Sequence, residues 1–147
     1  MIGYNWEGLF SVRPFAKQVL TKLYQYFDLY LFTAADKKYA DQVLNIIDPK
    51  AKIFRNRFYR EDCVEIQQFR VKDLRMFQDR DLQNIIIVDN SVISFAFQLN
   101  NGIPILPYEG EEDDCELIYL LKFLDRIKDA KDVRIEIKKA FNIKQYL

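Results

Sequence analysis

The sequence predicts an α/β fold: a mostly parallel sheet with flanking helices. Three observations carry this expectation. Short apolar runs such as "DLYLF", "NIIIVD" and "GIPIL" have the length and density of buried strands. Amphipathic helical patterns stand between them, and such alternation implies parallel pairing through right-handed crossovers. No repeat, low-complexity linker or compositional break interrupts the 147 residues, so one domain over 1–147 is expected.

The elements follow in order. Residues 1–12, "MIGYNWEGLFSV", read as an N-terminal extension or hairpin strand. Pro14 sits where a first-turn proline belongs, and Phe15, Val19, Leu20, Leu23 and Phe27 recur at helical spacing, which predicts a helix over 14–27. "DLYLFT" is a buried strand ending at Thr33. Asp36 can cap a second helix with Tyr39, Val43, Leu44 and Ile47 on one face, stopped at Asp48-Pro49. "KIFRNRFY" alternates like a strand nearer an edge. A polar stretch leads to "FRVKDL", then to "NIIIVD", a short helical run from Ser91 to Leu99, and "GIPIL" as a last strand. "EEDDCELIYLLKFLDRI" is a helix whose acidic start favours its dipole and whose Leu117, Leu120, Leu121 and Leu124 form an apolar face. "DVRIEIKKAF" places a C-terminal helix in 129–147.

Composition removes whole classes of function. Lys plus Arg equals Asp plus Glu at 22 each, which argues against direct binding of nucleic acid through a general polycationic surface. Without histidine, every Ser-His, Cys-His and His-metal mechanism is excluded. The two cysteines, Cys63 and Cys115, are too few for a disulfide framework, so an intracellular, reducing compartment is expected. No window reaches the roughly 18 to 20 apolar residues of a membrane span, and the first residues lack a signal-peptide pattern.

Chemistry is expected at the carboxyl ends of the strands, where open parallel sheets place their ligands. Two strands end in suitable groups. Thr33 offers a hydroxyl to a phosphate oxygen; Asp89 and Asn90 offer hard oxygen ligands of the kind magnesium takes. Asp, Asn and Ser also favour simple turns, which is the other reading of "NIIIVDNS". Lys72 can supply positive charge to a phosphoryl group. Arg60, in "FYREDC", is by default a surface or ion-pair arginine.

In this order and spacing, "SVRPF", "YFDLYLFTAADKKYAD", "RFYREDCV", "VKDL", "RDLQNIIIVDNS", "NGIPI" and "DDCEL" resemble one family over residues 9–128. They are similar to the small phosphatases that act on the carboxy-terminal domain of RNA polymerase II. These carry the NLI-interacting-factor-like phosphatase domain of the haloacid dehalogenase superfamily. The resemblance implies a Rossmann-like fold and magnesium-dependent hydrolysis of phosphoserine or phosphothreonine. It assigns Thr33 and Lys72 to phosphate, Asp89 and Asn90 to the metal, Arg60 to a weaker substrate contact, and Tyr39 to a segment bordering the substrate groove. Relatives in the nucleus, at the nuclear envelope and in mitochondria leave nucleus, cytoplasm and mitochondrion as alternatives.

One part of the pattern is absent. The family's nucleophile is the first Asp of a D-x-D-x-T motif after a central first strand, and its second Asp is the general acid and base. Ahead of Arg13 the only carboxylate is Glu7. Asp79 and Asp81 precede "NIIIVD" and so belong at its opposite end from Asp89, while Asp113 and Asp114 begin a helix. By family analogy the absent strand lies between "LYLFT" and "IIIVD". An unfilled gap there would leave a row of buried backbone groups unpaired, at about 1 to 3 kcal/mol each. Residues 1–12, direct closure of the flanking strands, another polypeptide, or an N-terminal segment of a longer protein could fill it.

Two functions are therefore expected. The first is a phosphatase-like domain without the Asp nucleophile, a pseudophosphatase acting through protein interaction within a larger assembly. The second is the C-terminal part of an active magnesium-dependent protein phosphatase whose D-x-D-x-T motif lies on another segment. Magnesium binding is expected only where the missing carboxylates are supplied, and a phosphoprotein is the expected partner.

Overall fold

The computed structural model describes residues 2–4 and 10–146. Glu7, and Gly8 and Leu9 of the expected hairpin strand, lie outside the described residues. The chain divides into two compact units, Met1–Arg60 with Pro107–Lys128, and Glu61–Leu106 with Asp129–Leu147. All four sheets among the described residues have two strands.

In the first unit, β1 (Ile2–Tyr4) pairs antiparallel with β2 (Phe10–Val12), in register Ile2↔Val12. Helix α1 spans Ala16–Leu23, two residues later and four earlier than the 14–27 expectation. Its start is set by Phe15, whose φ of 65° is left-handed and cannot continue a helix backwards. At its end Gln25 and Tyr26 donate to Lys22 and Leu23, three residues back, so the last turn tightens and closes. Phe15, expected on the apolar face, is exposed.

Strand β3 (Leu29–Phe32) runs parallel to β4 (Phe54–Phe58), with Phe32 opposite Phe58. Its four side chains are only half-buried, where the apolar pattern predicted full burial, and one neighbouring strand is all that covers its edges among the described residues. Helix α2 (Lys37–Ile47) joins them. The Asp36 carboxylate accepts the Tyr39 N–H at 3.0 Å, the N-cap that the sequence predicts. Past the helix, buried Asp48 accepts the Lys52 and Ile53 amides at 2.9 and 3.1 Å and shapes the turn into β4. Helix α3 (Glu116–Ile127) packs against α1, burying Leu117, Leu120 and Leu124 in the same unit as Val19, Leu20 and Leu23.

The second unit contains a hairpin absent from the sequence reading. Strands β5 (Val64–Ile66) and β6 (Phe69–Val71) pair antiparallel across Gln67, which adopts φ 54°. Strand β7 (Ile87–Asp89) is parallel to β8 (Gly102–Pro104), with Asp89 opposite Pro104. "NIIIVD" is thus a strand over only its second half. Ahead of the strand, Asn101, itself buried, donates through Nδ2 to the Leu82 and Ile85 carbonyls at 2.6 and 2.7 Å.

The short helical run expected from Ser91 to Leu99 is a 3-10 segment, Val92–Asn101, broken at Phe95 and Gln98 by non-helical dihedrals. Phe95 is fully buried with Leu74, Ile87 and Val92 around it. Its ring occupies the space above Gly102, where a Cβ would sit 2.1 Å from ring carbons. Glycine is required there by close approach, not by dihedral freedom. Helix α4 (Val133–Ala140) buries Val133 and Ile137, and a 3-10 turn follows at Ile143–Tyr146; the C-terminal helix is therefore shorter than 129–147. Among the described residues no helix is long and apolar enough to cross a membrane.

Candidate functional site

The second unit brings together two of the predicted site residues. Lys72 follows β6, Asp89 ends β7, and the Lys72 Nζ donates to Asp89 Oδ2 in a buried ion pair whose side chains are 9% and 8% exposed. The other Asp89 oxygen accepts the Ser91 N–H at 2.8 Å, and the Asp89 carbonyl accepts the Ile105 N–H at 3.1 Å. Asp89 is therefore held in place from its backbone and from both carboxylate oxygens. The turn reading and the site reading of "NIIIVDNS" are both realised: Ser91 closes a local turn onto the same carboxylate that takes the lysine. Asn90 is exposed beside it.

The segment after Lys72 is equally fixed. Asp73 accepts hydrogen bonds from the Arg75 guanidinium and backbone and from Gln98 Nε2. The Arg75 bond, set against desolvation, holds the Asp73 carboxyl down to about 2. Cys63 feels the same charges: burial pushes its thiol up, while Lys72 and Arg70 oppose that shift. The net upward shift favours the thiol over the reactive thiolate.

In the first unit, Thr33 and Arg60 meet at one loop. The Thr33 N–H donates to the Phe58 carbonyl at 3.0 Å, prolonging the β3–β4 ladder, and its Oγ1 accepts the Ala35 N–H at 3.1 Å. Arg60 donates through Nε to the Ala34 carbonyl and through its backbone N–H to the Ala35 carbonyl, both at 3.0 Å. Arg60 thus ties down the loop that follows Thr33. Tyr39 lies half-buried on α2, with its backbone committed to the Asp36 cap.

Other carboxylates that the sequence offered go elsewhere. Asp79 and Asp81 are exposed. Asp114, read as serving the dipole of α3, accepts a bidentate pair from Arg13, with Nε to Oδ1 and Nη2 to Oδ2 both at 2.7 Å. The Arg13 hydrogen bond holds the Asp114 carboxyl below the usual range against desolvation. Its Oδ1 also accepts the Glu116 N–H at 3.2 Å, so the helix start is served after all, though secondarily.

Magnesium, which the family resemblance implies, asks for six oxygens in near-octahedral array. Among the described residues no three His, Cys, Asp or Glu side chains cluster as a metal site, and Asp89 is already committed to Lys72 and Ser91. These residues do not form a magnesium site by themselves.

A family model described as "NLI interacting factor-like phosphatase" matches residues 2–134 and so extends over both units. The chain is 41% identical over 135 residues to CTD small phosphatase-like protein 2 of Dictyostelium discoideum, covering 92% of this chain and 24% of that protein. It is 36% identical over 144 residues to CTD small phosphatase-like protein 3 of Caenorhabditis elegans, covering 97% of this chain and 50% of that protein. The chain thus spans a quarter to a half of these relatives. Among solved structures it is similar to Fcp1, an essential RNA polymerase II CTD phosphatase, with a TM-score of 0.59 at 23% identity over 95% of this chain and 42% of that one. That likeness shows the fold, the mixed α/β arrangement predicted from the strand–helix alternation. The chain belongs to the NLI interacting factor-like phosphatase family.

Proposed function

We propose that this chain carries the phosphate-holding part of an aspartate-dependent protein phosphatase and, by itself, binds phosphoserine or phosphothreonine protein without hydrolysing it. The buried Lys72–Asp89 pair at the end of β7 is the observation that carries this reading. A desolvated ammonium held in one position is the group a phosphate oxygen needs, and its bond to a charged acceptor is stronger than a neutral one. The pair is neutral as it stands. Phosphate binding is accordingly expected to be weak until a further cation takes up the charge of Asp89, and magnesium serves only where additional carboxylates come with it.

Hydrolysis on this reading requires an aspartate from outside the residues present here, on an N-terminal segment or on another polypeptide that adds a strand. The half-buried side chains of β3 and the two-stranded sheets support such an addition. A compartment that keeps Cys63 and Cys115 as thiols belongs to the same reading. The chain is to be incubated with magnesium and p-nitrophenyl phosphate or a phosphoserine peptide. No turnover is expected, with peptide binding that depends on the phosphate and weakens in Lys72→Ala. Turnover that disappears in Asp89→Ala overturns the non-hydrolytic reading, and equal binding of the unphosphorylated peptide overturns the phosphate-holding one.

A second reading, that this is the C-terminal part of an active phosphatase, is favoured by one observation: the chain spans only 24% and 50% of two phosphatase-like relatives. Mass measurement and N-terminal sequencing of the native protein separate the two. A D-x-D-x-T segment on the native chain supports the second reading; a native start at Met1 overturns it.

A further inference from the structure

The Lys72 ammonium stands at the end of a flexible four-carbon stem, so fixing the main chain at its base removes one source of its movement. One 3-10 segment supplies that restraint. The Lys72 N–H donates to the Ser94 carbonyl at 2.7 Å. Two residues on, the Leu74 N–H donates to Gln98 Oε1 at 3.0 Å, and between them the Asp73 carboxylate accepts from Gln98 Nε2 at 2.9 Å. Residues 72–74 are thus gripped at three points from residues 94 and 98. Gln98 is buried, which is unusual for its type unless both ends of the amide are used. It sits where the 3-10 run breaks, at φ −133° and ψ 60°, and that departure coincides with its commitment to the neighbouring segment.

We propose that Gln98 is a positioning residue for Lys72: its amide clamps Asp73 and Leu74, fixes the main chain beside the lysine, and thereby aims the ammonium at Asp89. This rests on the reading of Lys72 as the phosphate-facing cation. The fork is chemically specific. One amide offers an acceptor and a donor together, so it can serve a backbone N–H and a carboxylate at once. An apolar residue offers neither, and a carboxylate offers only acceptors.

The test observes the Lys72 ammonium group by proton–nitrogen NMR in the 15N-labelled chain, assigned by its loss in Lys72→Arg. Buried and paired, its protons are expected to exchange slowly enough to be seen. Gln98→Met keeps the length and removes both hydrogen bonds; exchange of the Lys72 signal should accelerate at least tenfold in a folded variant. Gln98→Glu, which keeps an acceptor for Leu74 but faces Asp73 with a second carboxylate, should do the same. Ile137→Val, a loss of core packing in the same unit, should leave the signal unchanged. A folded Gln98 variant with an unaltered Lys72 signal overturns the proposal, as does an equal loss in Ile137→Val. Should both Gln98 variants fail to fold, hydrogen exchange in the unmutated protein decides. The Leu74 amide and the Gln98 side-chain amide are expected to be protected together, and a Leu74 amide exchanging like an exposed loop overturns the clamp. Inorganic phosphate, added in excess because its binding is expected to be weak, should shift the Lys72 signal; no shift counts against the phosphate-holding reading and leaves the Gln98 result standing.

Discussion

Replacing Arg13 by Met should destabilise the protein by about 3 kcal/mol, more than any exposed ion pair of this chain can account for. Arg13 and Asp114 are 101 residues apart in sequence, and their side chains are 2% and 9% exposed. With charge centres about 4 Å apart, their attraction is about 4 kcal/mol at an effective dielectric of about 20. Removing one partner of a buried pair typically costs about 3 to 5 kcal/mol, because the other charge is left without water or a counter-ion. The low end applies because Asp114 keeps the Glu116 N–H and the N-terminal end of α3, which is worth about 0.3 to 1 kcal/mol.

Urea unfolding at neutral pH measures the loss, with an unchanged m-value showing that the native surface is intact. Adding Asp114→Leu to Arg13→Met should recover much of it. The pH dependence has a definite sign. Arg13 lowers the folded-state value of Asp114 below its ordinary 3.8, so the pair's contribution is present above that value and lost as pH falls through the lowered one. The gap between the native protein and Arg13→Met should therefore close in acid. A loss under about 1 kcal/mol, the range of solvated pairs, together with a gap that persists in acid, would refute the argument.

Three further outcomes are expected. Lys72→Met should cost about 3 to 5 kcal/mol in urea unfolding by stranding Asp89, and Lys72→Met with Asp89→Leu should cost less than Lys72→Met alone. Gly102→Ala should cost at least about 1 to 3 kcal/mol and perturb the Phe95 ring resonances, since its Cβ would meet a fully buried ring at 2.1 Å; a loss within 0.5 kcal/mol, roughly the scatter of surface substitutions, would show that the ring moves aside. Asp36→Ala should lose about 1 kcal/mol through the α2 cap, read from the midpoint of thermal unfolding.

The sequence by itself determined what local pattern can express. The Asp36 cap and α2 were legible because a side chain and a 3.6-residue period lie within one stretch of chain. The parallel class was legible because alternating strands and helices leave few other connections, and the family was legible because its motifs are short, ordered quotations. The D-x-D-x-T motif is likewise a property of the text, present or absent. Tertiary structure alone decided which charges meet. Nothing local announces that Arg13 takes both oxygens of Asp114, that Asn101 claims two carbonyls ahead of β7, or that Gln98 reaches back to Asp73 and Leu74. Such pairs depend on burial and on long-range approach of the chain. Even within one stretch the left-handed turn at Phe15 defeated the apolar period that predicted a longer helix, because periodicity reports which face is buried and not where the backbone must turn.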